Sequence, residues 1–448
     1  MPDIQVGCWG SIHLQSLALP LTCLPASSPR IVTGRGVALI DDFANRRRCK
    51  IKRRGRGRPV SPRHYTRGIA YGFLRLEVGL ERDSLRWQSN EGETAISRLE
   101  SYFGAVPDPR AGNATHRLGD LIVMMIAASL CGASNATEFS LFAQERKQAL
   151  SRLIEYEVAP SHDTFSRLLR LLDPEAFGRA FAAFAAGFAR ACQEVVSLDG
   201  KALRRAYEKG LAASPPLTVS AFAAETRLCL AAVSPGAGEN EVEAALKVIE
   251  LIDLTGRMVT ADALHCHTRM AQAITERGGD YLLALKRNRR HWVAHAKQSL
   301  TEIIPALAER TETSHGRDEW RQAEIVAAAI PLMPGHKAFI RITSRRDKAE
   351  PVTRLFMTST LLSPQQALDL TRAHWQIENG LHWMLDVHLG EDQSRARKDN
   401  APANIALLNR IARNVLQAAD IDKVPISHRI KKCAWNDDYL TQALTHMR

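Results

Sequence analysis

The spacing of apolar and polar residues changes twice along the chain. Residues 1–92 show no clear period, whereas residues 93–190 carry apolar residues at helical spacing. One run there, LGDLIVMMIAASLCG, is apolar nearly all round, which is typical of a buried helix. Ser161 and the pair Asp173-Pro174 precede two further apolar runs and are suited to cap helices that begin there. Residues 93–190 are therefore predicted to form a compact helical domain.

From about residue 191 the pattern becomes one of strands alternating with helices. Apolar runs with strand character lie at 195–200, 217–224, 227–233, 257–264, 280–288, 322–330, 336–344 and 353–359. Amphipathic helices are predicted at 241–252 and 267–279, and a longer helical region from Ser363 to about Ala419. This order predicts an α/β fold over 191–425, with a mixed sheet flanked by helices. Residues 426–448 are predicted to be a C-terminal tail.

The composition is that of an ordinary globular protein, with 45% apolar and 24% charged residues in a chain of 448. These values exclude global disorder, a collagen and a small disulfide scaffold. No run approaches the ~20 apolar residues of a transmembrane helix, so no membrane partner is expected. The eight cysteines show no C-x-x-C spacing, which favours a reduced, cytoplasmic protein without a zinc site.

The net charge of +12 is concentrated at the start of the chain. Residues 1–90 hold 16 Lys and Arg against 6 Asp and Glu, which leaves 44 against 42 for residues 91–448. In the run RRRCKIKRRGRGR at 46–58, nine of thirteen residues are basic. Such a density of like charge predicts a disordered basic extension over 1–92, able to neutralise DNA phosphates without reading sequence. The alternative is that the start codon has been assigned too far upstream, so that the extension contributes nothing to the protein.

Three acidic residues stand out by their context. Asp199 and Asp262 each end an apolar strand, and Glu378 lies in a helix. Carboxylates at strand ends meet at one edge of an open α/β sheet, where ligands bind. A cluster of such acids is costly unless cations neutralise it, and oxygen-only ligands suit Mg²⁺ or Mn²⁺. Taken singly, each acid is more commonly a turn residue or a solvated side chain, so their spacing alone does not decide between these readings.

Several ordered blocks of sequence carry a family resemblance. These blocks are LDGKALRR, VSAFAAETRLCLA, LIDLTGRMVTADALHC, ERGGDYLLALKRN and HWQIENGLHWMLDVHLGEDQSRARKDNAPANIALLNRIARN. They closely resemble insertion-sequence DDE transposases, specifically the H-repeat-associated (ISAs-one type) group. LESYFGAVPDPR and PSHDTFSRLLRLLDPEAF resemble the transposase-associated N-terminal domain of that group. The resemblance covers about 97–425.

The resemblance implies a fold and a set of site residues. The fold would be RNase H-like, with a β-rich insertion at about 290–360 inside the catalytic domain. The matched positions make Asp199, Asp262 and Glu378 both the catalytic residues and the ligands of two Mg²⁺ or Mn²⁺ ions. Three neighbours would support them: Asn379, His382 and Asp386. Because His382 is one helical turn from Glu378, it is expected to orient that carboxylate.

Basic and polar residues near the acids are expected to hold DNA phosphates. The candidates are Lys201, Arg204, Arg205, Lys286, Asn288 and Arg395. The alternative for each is an ordinary position in a solvated surface cluster or loop.

The function implied is that of a DDE transposase, which cuts DNA at the ends of its element and joins the freed ends to target DNA. Its partners would be the terminal inverted repeats and the target DNA, and action on two ends suggests a homodimer or a higher assembly. Such a protein would be cytoplasmic and associated with the nucleoid. Three rivals stay open: an RNase H-like nuclease without transposition, an inactive DNA-binding relic, and a basic nucleic-acid-binding protein acting through residues 46–58.

Overall fold

A computed structural model describes most of the chain after its first fifth. It describes residues 99, 101–110, 112–188, 195–206, 215–314, 316–419 and 421–445. All of them belong to the compact unit Glu81–Arg448. The expected basic extension over 1–92, with its run at 46–58, lies outside the described residues.

Helices come first, as predicted. They are α1 (Leu118–Leu130), α2 (Ala136–Glu145), α3 (Lys147–Leu150), α4 (His162–Leu171) and α5 (Pro174–Ala186). Nearly every residue of α1 is buried, in agreement with its apolar sequence. The side chain of Ser161 accepts the Thr164 N–H at the start of α4, and Asp173 accepts two N–H groups at the start of α5. Both predicted helix caps are therefore confirmed.

Nine strands of the described residues form one mixed sheet, which confirms the predicted α/β class. In chain order the elements are β1 (Val195–Ala202), β2 (Leu217–Ala223), β3 (Cys229–Val233), α6 (Glu241–Glu250), β4 (Met258–Ala261), α7 (Thr268–Glu276), β5 (Asp280–Leu285), α8 (Arg290–Glu302), β6 (Ala306–Ser314), β7 (Arg317–Ala327), β8 (Ala338–Arg346) and β9 (Val352–Thr358). The strand order is β3-β2-β1-β4-β5-β9-β8-β7-β6. The pairs β1–β4 and β4–β5 are parallel, and the other pairs are antiparallel.

The segment expected to be a β-rich insertion contains four strands, β6 to β9, and two features that the sequence did not predict. It begins with a helix, α8, and its strands extend the main sheet because β9 pairs with β5. The sequence did not reveal β6, whose charged sequence ALAERTETS reads as a loop. This strand lies at the edge of the sheet, where only one neighbour pairs with it and charged side chains are tolerated.

Helical segments close the described chain. They are α9 (Pro364–His374), a π-helical segment (Ile377–His382), α10 (Trp383–Val387), α11 (Ala401–Ala418), α12 (Ile426–Trp435) and α13 (Asp437–Thr445). The expected C-terminal tail is thus largely two helices, which bury Cys433, Leu440 and Leu444. Their polar sequence hid this because only one narrow face of each helix packs inward.

The main hydrophobic core joins segments that are far apart in sequence. It unites Phe177 of α5 with Phe222 of β2, Ile377 of the π-helical segment, Ile411 of α11 and Leu440 of α13. A second core lies between the sheet and the helices α6 and α7. Residues from both sides of the predicted boundary near residue 190 therefore pack in one hydrophobic core. Among the described helices, none is both long and apolar enough to cross a membrane.

Candidate active site

Asp199 and Asp262 lie next to each other on two neighbouring strands in the interior of the sheet. The parallel register of β1 and β4 pairs Leu198 with Ala261, so Asp199 and Asp262 are the next residues on two neighbouring strands. Asp262 follows the last residue of β4, whereas β1 continues past Asp199 to Ala202, two residues beyond the predicted end of that strand. Both residues are half-buried. Asp199 Oδ1 accepts the Gly200 N–H at 2.9 Å, and Asp262 Oδ1 accepts the Leu264 N–H at 2.8 Å. These two hydrogen bonds from the backbone therefore fix the orientation of both carboxylates.

Glu378 lies in the π-helical segment, where the Trp383 N–H donates to the Glu378 carbonyl five residues earlier. Such π-helical turns are frequent at functional sites. The segment packs closely on the sheet, because a Cβ at Gly380 would lie 3.2 Å from the Phe222 ring. Glu378 itself is exposed, yet partial burial raises the pKa of its carboxyl, while the charge of Arg354 opposes that rise. The third predicted acid thus lies on a solvent-facing helical turn.

A chain of polar contacts links both aspartate strands to α9. Thr260 Oγ1 donates to Ser197 Oγ at 3.1 Å and lies 3.0 Å from His374 Nδ1. Ser197 and Thr260 stand two residues before Asp199 and Asp262, hence on the same face of each strand. Burial lowers the pKa of His374 to about 4, so its ring is neutral near pH 7. Sequence reasoning missed these supports, although strand alternation from each aspartate could have indicated Ser197 and Thr260.

The acids perturb one another. Burial raises the pKa of Asp199 to about 7, and the charges of Glu378, Asp262 and Glu241 add to the effect, while the Gly200 N–H opposes it. Glu241 was not predicted, because α6 reads simply as an amphipathic helix. Its carboxylate contacts Gly200 so closely that a Cβ there would lie 2.6 Å from Oε1. Four carboxylates therefore influence one small region.

His382 lies against Asp199 and not against its expected partner, Glu378. Its Nδ1 is 3.6 Å from Asp199 Oδ2. The expectation assumed the angular spacing of an α-helix, which the π-helical winding changes. Burial lowers the pKa of His382 to about 3, so the ring is neutral and does not offset the charge of the acids.

Lys201 has a structural setting that does not fit the expected phosphate contact. Its side chain is 7% exposed, and its ammonium lies 2.6 Å from Asp386 Oδ1 and 2.9 Å from Asp392 Oδ1. Arg204 Nε also approaches Asp392 Oδ2, at 3.4 Å. Asp386, expected to support Glu378, instead pairs with Lys201. These contacts fasten the end of β1 to α10 and the loop that follows it.

The other predicted contacts lie on the surface. Arg205, Lys286, Asn288 and Arg395 are all exposed, and so is Asn379, which was predicted to support the acids. Asn288 Nδ2 donates to the Ala263 carbonyl at 2.8 Å, which sets this residue beside the loop of Asp262. The surface positions leave their DNA contacts as predictions.

The acid cluster has donors of the right chemistry for a divalent cation. Carboxylate oxygens suit Mg²⁺ and Mn²⁺, and the repulsion that raises the pKa of Asp199 is what a bound cation relieves. Over the described residues, however, no three His, Cys, Asp or Glu side chains converge closely enough to form a ready-made metal site. Asp199, Asp262 and Glu378 therefore influence one another electrostatically without forming a closed set of ligands.

We expect Lys201→Met to lower the melting temperature of the full chain. The change leaves the carboxylates of Asp386 and Asp392 without their buried partner, at a cost of ~1–3 kcal/mol. The salt dependence of DNA binding should not change, since the ammonium contacts acids and not solvent. Calorimetry and fluorescence anisotropy measure the two effects. Exposed Arg205→Met is the comparison: as a proposed phosphate contact on the surface, it should keep the melting temperature and make the salt dependence shallower. An unchanged melting temperature with a shallower salt dependence would instead support the phosphate contact.

Two family models match the chain. One is described as DDE_Tnp_1-associated and matches residues 100–185. The other is described as the transposase DDE domain and matches residues 191–415.

Curated relatives match over most of their length. "Putative transposase YncI" of Escherichia coli O157:H7 is 30% identical over 375 residues, which is 78% of this chain and 95% of that one. "H repeat-associated putative transposase YhhI" of Escherichia coli strain K12 is 27% identical over 374 residues, covering 78% of this chain and 98% of that one. A solved piggyBac transposase synaptic complex with hairpin DNA aligns with a TM-score of 0.40 and 10% identity, covering 78% of this chain and 81% of that one.

Proposed function

Because this chain belongs to the insertion-sequence DDE transposases of the H-repeat-associated group, we propose that it cleaves DNA at the ends of its element and transfers the freed strands into target DNA, in a metal-dependent reaction. One observation carries the proposal: the register of β1 and β4, which makes Asp199 and Asp262 neighbours. The charge of Glu378, from the π-helical segment, acts on the same region.

The topology supports an RNase H-like assignment for the catalytic domain. The strands β3, β2 and β1 form an antiparallel meander, and β4 and β5 continue the sheet in parallel with β1. The crossovers between these parallel strands contain α6 and α7. The segment from α8 to β9 would then be the insertion that separates the second aspartate from the glutamate.

Asp199, Asp262 and Glu378 are the residues that would hold two Mg²⁺ or Mn²⁺ ions. When bound, such ions activate the attacking oxygen and stabilise the leaving oxygen of a phosphodiester. The neutral ring of His382 beside Asp199 and the Ser197–Thr260–His374 contacts keep the carboxylates in position. Little else is needed from the chain, since this chemistry depends mainly on positioning and charge stabilisation.

The two reactions are both in-line displacements at phosphorus. In the first, a water loses a proton and its oxygen bonds to phosphorus, the P–O3′ bond breaks, and the released 3′ oxygen takes up a proton. In the second, that 3′-hydroxyl loses its proton and its oxygen bonds to a target phosphorus. A P–O3′ bond of the target breaks, and the released target 3′ oxygen takes up a proton. Exposed Arg205, Lys286, Asn288 and Arg395 would contact the DNA backbone around the site. Joining two element ends in one event would require two copies of the chain or more.

The proposal is tested with the full chain, Mg²⁺ or Mn²⁺, and two DNA substrates. One carries an intact element end with its flank, and the other carries a pre-cut end together with a target plasmid. We expect cleavage at the element boundary and joining of the pre-cut end, both abolished by EDTA. Cleavage without joining would favour the RNase H-like nuclease. DNA binding with neither reaction would favour the inactive relic.

A further inference from the structure

An arginine-rich groove flanks the π-helical segment that carries Glu378. The groove has a volume of about 540 Å³. Its lining includes five arginines, which are Arg227, Arg317, Arg321, Arg346 and Arg372. Only two acids, Glu319 and Asp369, share that lining. The groove therefore carries an excess of fixed positive charge.

Within the described part of the chain, carboxylates pair with three of the five arginines and leave the other two without a partner. Arg372 pairs with Glu312, which does not line the groove. Glu319 is shared, at 3.0 Å from Arg321 and 3.8 Å from Arg346. Asp369 pairs at 2.6 Å with Arg310, which does not line the groove. Among the described residues, Arg227 and Arg317 have no carboxylate within ion-pair distance. Charge of this kind attracts a polyanion.

Strand geometry places the arginines of β7 and β8 on one face. Arg317, Glu319 and Arg321 alternate along β7, and the register pairs Glu319 with Arg346. Arg345, the preceding residue of β8, turns to the opposite face and lies over the Trp320 ring at 5.6 Å. A row of guanidinium groups thus faces the groove from the insertion.

One buried arginine fixes the opposite wall. Arg413 is 1% exposed and donates to two backbone carbonyls, those of Arg227 in the β2–β3 turn and, at 3.2 Å, Gly380 in the π-helical segment. The Arg227 turn and the Glu378-bearing segment are therefore held by the same side chain. Because this wall is already ordered, binding a ligand does not incur the entropy cost of ordering it.

We propose that this groove binds the phosphodiester backbone of DNA next to the bond that is cleaved. Guanidinium groups pair with phosphate oxygens in bidentate geometry, and a row of them suits a ligand with repeated phosphates. Gln376 and Asn379, which flank Glu378 in sequence, also line the groove, so a strand lying in it continues toward the acids. The DNA is either the element's own end or the target. This inference rests on the proposed function, and it assigns a DNA contact to residues that sequence reasoning did not single out.

The test compares two doubly substituted full-length chains with the wild type. Arg317→Gln/Arg346→Gln removes two charges from the groove, and Arg345→Gln/Lys348→Gln removes two exposed charges from the same strand and its turn. Binding of fluorescent duplexes is measured in EDTA over a range of salt concentrations. We expect the groove variant to reduce the slope of log K against log salt by about 2, since each phosphate contact contributes ~0.9. The control variant should keep the wild-type slope, and all three proteins should melt alike.

Two duplexes of equal length separate the sources of DNA. A loss confined to the duplex with the element's end assigns the groove to that end, and an equal loss on an unrelated duplex assigns it to backbone contact irrespective of sequence. Equal slopes for the groove and control variants would overturn the inference, as would groove-dependent binding of an acidic peptide with DNA binding unchanged.

Cleavage assays with metal distinguish this result from failure of the proposed function. If the wild type does not cut DNA but the groove variant loses affinity, the inference stands and the proposed activity does not. If the wild type cuts and the groove variant binds and cuts like the control, the inference alone is wrong.

Discussion

Asp262→Asn is expected to lower metal-dependent DNA cleavage by the full chain by roughly 10³-fold or more. The change removes a proposed ligand of the metal ions, and bound ions contribute several kcal/mol of charge stabilisation in the transition state. The fold should not change. An asparagine side chain keeps the carbonyl oxygen that accepts the Leu264 N–H at 2.8 Å. The amide removes the negative charge while retaining the shape of the side chain. DNA binding in EDTA should therefore equal that of the wild type.

A matched control comes from a second aspartate in a similar turn. Asp253 Oδ1 accepts the Thr255 N–H at 3.0 Å, two residues onward, just as Asp262 accepts that of Leu264. Asp253→Asn should therefore cut DNA at the wild-type rate. Rates are measured as the initial appearance of cut element ends under single-turnover conditions. Wild-type cleavage by Asp262→Asn would remove that residue from the reaction.

Arg410→Met is expected to lower the free energy of unfolding by ~3–5 kcal/mol, because the buried Glu391 carboxylate loses the partner that donates a hydrogen bond to it and keeps the Lys201 ammonium at 3.9 Å. Both side chains of this pair are fully buried, with Arg410 Nη1 2.8 Å from Glu391 Oε1. Arg410 Nε also donates to Ser220 Oγ at 2.8 Å, and Ser220 pairs with Asp199 across β1 and β2. Because opposed residues of antiparallel strands point to the same face, the pair lies beside the candidate site.

The effect is measured by urea unfolding of the full chain followed by tryptophan fluorescence. An exposed ion pair gives the control: Arg152 and Asp438 are 53% and 76% exposed at 2.6 Å. Arg152→Met should cost at most ~1 kcal/mol. The double variant Glu391→Leu/Arg410→Met should recover part of the loss, since it removes both buried charges. If Arg410→Met unfolds at the same urea concentration as Arg152→Met, the buried pair contributes no more than the exposed one.

Local patterns in the sequence predicted the elements whose formation depends on near neighbours. The apolar run of α1 and the caps Ser161 and Asp173 are decided within a few residues, and the structure has them as predicted. The strand β1, which contains Asp199, and the strand β4, which Asp262 follows, were likewise predicted from their apolar runs. Sequence context singled out these two acids and Glu378, and family resemblance implied their roles.

Two side chains whose surroundings depend on distant contacts lie in settings that the sequence did not predict. Lys201 read as a phosphate ligand, but its partner Asp392 is 191 residues away in sequence and gives it a buried, acidic setting. His382 faces Asp199 and not Glu378, because it lies in a π-helical turn. This turn packs against Phe222, and no local sequence pattern predicted it.

The sequence by itself therefore determined the α/β class, the helix caps and the apolar strands that position Asp199 and Asp262, since periodicity and capping act over a few residues. Only the tertiary structure decided the edge strand β6, the buried Glu391–Arg410 pair and the arginine-rich groove. The physical reason is that each of these depends on which distant elements meet. Burial and partners set the charge state and accessibility of a side chain, and neither is encoded at its own position in the chain.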